Sequence, residues 1–128
     1  MNLLIWCLFI TTILPYLSRM PLLFYMKKQP GGYNNNNPRA QQATLTGTAA
    51  RALAAHQNSF ESLLVFAVAV LTALVTQHIT ETIQGLAVLH VVSRLIYHVA
   101  FLADWPGLRS SIWSVGFFSA LFILGACL

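Results

Sequence analysis

Apolar residues fall into four long runs separated by three polar links. The first run extends from Leu3 to about Met26. Lys27 to Arg39 follows, dominated by Pro, Gly and Asn, residues that break regular structure each for its own reason. A helical pattern resumes at Gln41 and becomes strongly apolar from Phe60 to about Thr76. Gln77 to Glu81 then leads into a run from about Ile83 to Ala103. Asp104-Trp105-Pro106-Gly107 reads as a turn before a last run from about Ser110 to Leu128. A crossing helix needs roughly 20 mostly apolar residues. The pattern predicts spans at about 3–26, 46–76, 83–103 and 110–128, all in a single domain over residues 1–128. The fold class is all-α: an integral membrane four-helix bundle of up-down topology. Pro15 and Pro21 should kink or locally unwind the first span, because each removes a backbone donor. That span lacks a basic start and a small-residue cleavage site, so it is not read as a removable signal peptide. No internal repeat is evident.

Composition supports this class. Of 128 residues 57% are hydrophobic and 8% charged, and a soluble domain carries about a quarter charged residues. Mean hydropathy is +0.68. The net charge of +4 does not point to nucleic acid, because the basic residues form no patch with interleaved aromatics. They mark orientation instead. Lys27, Lys28, Arg39 and Arg51 flank the first link and Arg109 follows the third, while the second holds only Glu81. Under the positive-inside rule, links one and three are cytoplasmic and both termini outside. Arg19, within the first span, must snorkel to a head-group region or find a partner. Cys7 and Cys127 then lie near one membrane face. A bridge between them is conceivable, but they read more simply as small apolar helix residues.

Polar residues inside a span are costly, so each is a candidate functional position. On the second span Asn58 lies roughly 20° round the helix from Arg51, and Glu61 roughly 60° further. On the third, His90, Tyr97, His98 and Phe101 all lie within roughly 60° of Arg94. Glu61 and Arg94 are expected to pair directly, since an unpaired buried charge costs several kcal/mol. His56 projects away from the second-span stripe, toward a packing contact or a neighbouring subunit, and His78 lies in a solvated link. Nothing has the spacing of a metal site, a nucleophilic triad or a phosphate loop. Such stripes can bind a ligand or merely join helices by hydrogen bonds; periodicity leaves both open.

More specific is the run Arg51-Ala-Leu-Ala-Ala-His56-Gln-Asn58-Ser-Phe-Glu61-Ser-Leu-Leu-Val-Phe66. It resembles the second-helix signature of the MAPEG family, the membrane-associated proteins in eicosanoid and glutathione metabolism. Arg94-x-x-Tyr97-x-x-x-Phe101 is similar to that family's third-helix pattern, and Arg109-Ser110 to its fourth-helix start. The loop Gly-Tyr33-Asn34-Asn-Asn-Asn37-Pro38-Arg39 resembles a bacterial branch, which implies a bacterial inner membrane.

The resemblance implies a homotrimer that binds glutathione as cosubstrate between neighbouring subunits, toward the cytoplasmic side. Arg51, Asn58 and Glu61 would bind the tripeptide's charged and amide groups, with Arg94 and Tyr97 reaching from the facing helix. Arg109 would stabilise the thiolate, with Ser110 beside it, and Lys27 or Lys28 would stand for a basic residue at the inner end of helix one. The implied activity is a glutathione-dependent transferase or peroxidase acting on hydrophobic electrophiles, small molecules or lipids, that arrive through the membrane. The chain departs from the pattern at Phe101, where catalytic members usually carry tyrosine, and at Gln57, where one branch carries arginine. The family also includes a non-enzymatic, fatty-acid-binding member, so the alternative is a lipid-binding or scaffold trimer of the same fold.

Overall fold

A computed structural model describes the whole chain, Met1 to Leu128. Four long helices, α1 (Asn2–Lys27), α3 (Gly47–Val75), α4 (Glu81–Leu102) and α5 (Pro106–Gly125), run alternately up and down, and a short α2 (Pro38–Gln42) lies in the first link. All four are long and apolar enough to cross a membrane. Their outer surface is studded with large exposed hydrophobics, among them Trp6, Phe9, Leu64, Val75 and Phe122. A soluble domain would bury these side chains; a bilayer accepts them. The chain is an integral membrane four-helix bundle.

The helix ends follow local chemistry. Thr80 caps α4 by accepting from the Ile83 N–H at 3.2 Å. The third link is shorter than the sequence suggests, because Pro106 and Gly107 already belong to α5. Proline fits the first helical turn, whose N–H would lack a partner anyway. The reversal itself falls on Asp104, at φ 59°. Helix α1 runs unbroken through Pro15 and Pro21. Each proline leaves the carbonyl four residues earlier, Thr11 and Leu17, without its helical donor, which a membrane helix packed among neighbours tolerates; Ser18 Oγ and His56 Nδ1 both donate to the Pro15 carbonyl itself, at 2.8 Å. His56 is thus a strut between α3 and α1.

The Asn run is folded. Asn34 Oδ1 accepts from the N–H groups of Asn36 and Asn37, and the Gln41 amide holds the loop to the end of α1 through the Met26 and Gly32 carbonyls.

Two apolar clusters close the ends of the bundle. One joins Leu4 and Cys7 to Phe66, Ala73, Ile83 and Ile123 at the end carrying both termini. The other joins Leu22 and Met26 to Leu45, Ala49 and Ala52 at the α2 end. Both cysteines are free: Cys7 is buried in the first cluster and Cys127 packs against it, acting as apolar side chains. Between the clusters lies a buried polar belt of His56, Ser59, His90, Ser93, Arg94 and Ser119.

Helix α4 packs most extensively on α5, and they meet at Gly116. A Cβ there would lie 2.6 Å from Ser93 Oγ, which itself donates to the His90 carbonyl. Small residues permit such close approach of membrane helices. Gly116→Ala is expected to cost about 1–2 kcal/mol by overpacking, read from detergent unfolding titrations. Ser93→Ala in the same chain should recover most of that loss, because the contact is with the hydroxyl.

At 1.5 Å per residue, α1 and α3 are about 39 and 43 Å long, against about 33 and 30 Å for α4 and α5. A hydrocarbon core of about 30 Å therefore leaves the first two projecting at the α2 end. Arg19 lies about 26 Å from the opposite end, so its backbone is still about 4 Å inside the core and its long side chain reaches the head groups by snorkelling. There it lines a groove with Tyr16, Arg39, Gln42 and His56, so its charge needs no carboxylate.

Candidate functional site

A cleft opens along the face where α3, α4 and α5 meet. Its mouth lobe, about 450 Å³, is lined by Asn58, Tyr97, Phe101, Arg109, Ser110, Trp113 and Ser114. Its deep lobe, about 180 Å³, adds Glu61, Ser62, Val65, His90, Arg94, Phe117 and Ala120, and the two share Asn58 and Trp113. Of the residues expected to bind glutathione or its thiolate, Asn58, Glu61, Arg94, Tyr97, Arg109 and Ser110 line this cleft and Arg51 does not. That side chain stands at the α2 end of α3, where it donates to Thr48 Oγ1 at 2.9 Å and pairs with Asp104 at 3.8 Å.

The expected direct pair between Glu61 and Arg94 is not formed. Arg94 Nη2 donates to Asn58 Oδ1 at 2.7 Å, and Asn58 Nδ2 donates to Glu61 Oε2 at 3.3 Å. The helical offset explains this. Asn58 faces α4, while Glu61, roughly 60° further round, is turned to the exposed rim. The amide therefore passes the carboxylate's influence to a guanidinium that is only 2% exposed.

The two cleft arginines are held by aromatic faces. Arg94 lies over the Tyr97 ring at 4.1 Å and Arg109 over the Phe101 ring at 4.6 Å. A phenyl face attracts a cation through its quadrupole without needing a hydroxyl, so Phe101 still positions Arg109. Arg109 has no carboxylate partner, since the Arg51–Asp104 contact is the chain's one ion pair.

The α4 stripe is narrower than periodicity indicates. His98 turns toward α3, where it shares a hydrogen bond of 2.8 Å with Ser59 Oγ, and it borders an apolar pocket next to α1. Sequence reasoning did not single out Trp113, Phe117 and Ala120 as cleft residues. Their signal was present: Arg109, Trp113, Phe117 and Ala120 recur at helical spacing on α5. No three His, Cys, Asp or Glu side chains come close enough together to hold a metal ion.

A MAPEG family model matches residues 3–128. The chain belongs to the MAPEG family. The match spans all four membrane helices and the α2 link, and it ties this MAPEG protein to glutathione-related or eicosanoid metabolism. No curated protein and no solved structure matches it. The lining of the MAPEG chain's cleft therefore has to be interpreted from its own geometry.

Proposed function

We propose that the cleft binds glutathione and that the protein is a glutathione-dependent transferase or peroxidase acting on hydrophobic electrophiles from the bilayer. The observation that carries this reading is the convergence of two guanidinium groups, an amide and a rim carboxylate in one cleft at membrane depth. Glutathione has net negative charge at neutral pH, with two carboxylates, one ammonium and a thiol. Arg94 and Asn58 suit a carboxylate or peptide carbonyl, Glu61 suits the ammonium, and Tyr97 offers an aromatic wall. Arg109 lacks a counterion and stands beside Ser110 at the mouth, where it would stabilise a thiolate. A nearby guanidinium lowers a thiol's pKa from its ordinary value of about 8.5. In a transfer reaction the thiolate sulfur forms a bond to the electrophilic carbon while the leaving group departs with its electron pair. Arg51 stands apart from the single-chain cleft, beside Asp104, so the reading rests on the other six residues.

The proposed assembly is a homotrimer in a bacterial inner membrane, with both termini outside and the α2 and α4–α5 links cytoplasmic. Glu61 on the exposed rim then faces a neighbouring subunit, whose surface would complete the cleft.

Calorimetry of glutathione against the purified protein, with ultraviolet absorbance of the thiolate recorded on the same samples, tests the reading. Saturable heat together with a thiolate band is the expected result. Neither signal at millimolar glutathione would leave the non-enzymatic, lipid-binding trimer as the function.

A further inference from the structure

The deep lobe holds two buried polar atoms without partners: His90 Nε2 and Arg94 Nε. Their residues are 1% and 2% exposed, and both line the lobe. They are four residues apart on α4, so they stand side by side on one helix face. Buried polar groups are almost always hydrogen-bonded, and two without partners in one cavity call for a common partner.

The chemistry of that partner follows from which atoms carry hydrogen. His90 Nδ1 lies 2.8 Å from the Gly116 carbonyl, which can only accept, so Nδ1 bears the proton. A second proton on Nε2 would place an uncompensated cation beside Arg94 near the middle of the membrane. Nε2 is therefore a bare acceptor. Arg94 Nε–H can only donate. A carbonyl or carboxylate would satisfy the arginine alone, and an ammonium the histidine alone. A hydroxyl satisfies both, accepting from Arg94 and donating to His90.

The remaining walls, Val65, Trp113, Phe117 and Ala120, are apolar. The His90 ring is fixed by stacking on Phe66, at 4.0 Å between centroids and 2° between planes. It lies about 14 Å along α4 from the end carrying the termini, near the middle of the hydrocarbon core.

We propose that the deep lobe is a subsite for an apolar molecule bearing a hydroxyl-type group, an alcohol or phenol, held between Arg94 Nε–H and His90 Nε2. Naming this molecule the cosubstrate rests on the glutathione reading above; the subsite itself does not.

The test uses p-cresol, 4-methylanisole and toluene, which share a ring and differ in the hydroxyl. Each is titrated without glutathione into protein in lipid nanodiscs, as wild type and as His90→Phe, with histidine imidazoles labelled with ¹⁵N. The expected result is that wild type binds p-cresol about tenfold more tightly than the ether, the difference one good hydrogen bond makes. The gap should close in His90→Phe, while toluene binds both proteins alike. The Nε2 resonance absent from the variant's spectrum should move on adding p-cresol and not on adding the ether.

Equal affinities for p-cresol and its ether in wild type would overturn the subsite and leave a buried water as the partner of the two nitrogens. Should His90→Phe fail to fold, the wild-type affinity gap decides alone. A missing gap with glutathione binding intact removes only the subsite. A preserved gap in protein that binds no glutathione removes only the transfer reading.

Discussion

Arg109→Ala is expected to lower kcat/KM for conjugation of glutathione to an activated aryl halide by roughly 100- to 1000-fold, the usual loss when one group stabilising a reactive anion is removed. The thiolate band should vanish at neutral pH while glutathione still binds, more weakly. The fold should survive, because the Arg109 side chain makes no ion pair within the chain and rests on the Phe101 face. Arg109→Lys keeps the charge but gives up the planar group that stacks on the ring, so partial activity is expected. Phe101→Tyr preserves the stack and should leave the thiolate intact. An Arg109→Ala protein with undiminished activity would move thiolate stabilisation elsewhere in the cleft, with Arg94 the next group to test.

The second large effect concerns stability. Asn58→Leu removes the acceptor that holds the buried Arg94 guanidinium. It should lower the unfolding free energy by about 2–3 kcal/mol, the range for a hydrogen bond to a charged group. Adding Arg94→Met should restore much of that loss, because the stranded charge goes with it. Glu61→Gln separates a relay from a direct ion pair. Glu61 is on the rim and bonds only to Asn58, at 3.3 Å. Its replacement should therefore cost under about 1 kcal/mol, the range for exposed pairs. If Glu61→Gln were as damaging as Asn58→Leu, the carboxylate would be the true counterion and Asn58 only a neighbour. Unfolding titrations in one detergent give all three values.

The four crossings were legible in the chain because hydropathy reads a solvent boundary, and membrane helices satisfy their own backbone within one segment. Span limits agreed with the helices to within a few residues, except at the third link, where Pro106 begins α5. The stripes on α3 and α4 were visible because 3.6-residue periodicity places Asn58 near Arg51 and Tyr97 near Arg94. Periodicity gives an angle around an axis but not the distance to the next helix. That is why a direct Glu61–Arg94 pair was expected where an amide intervenes, and why His98 was placed on the Arg94 stripe when it faces Ser59. Arg51 shares the angle of Asn58 but lies about 10 Å further along α3, beyond the cleft and beside Asp104.

The sequence by itself determined a membrane protein of the MAPEG family with four crossing helices, since those conclusions need only composition, run length and the order of residues along single helices. The tertiary structure decided which polar groups meet. It set Asn58 between Arg94 and Glu61, laid Arg109 over Phe101, and left His90 Nε2 buried without a partner. The physical reason is that hydrogen bonds and ring contacts act over a few ångströms. Such distances between helices are fixed by close packing at positions such as Gly116, which a one-dimensional pattern does not encode.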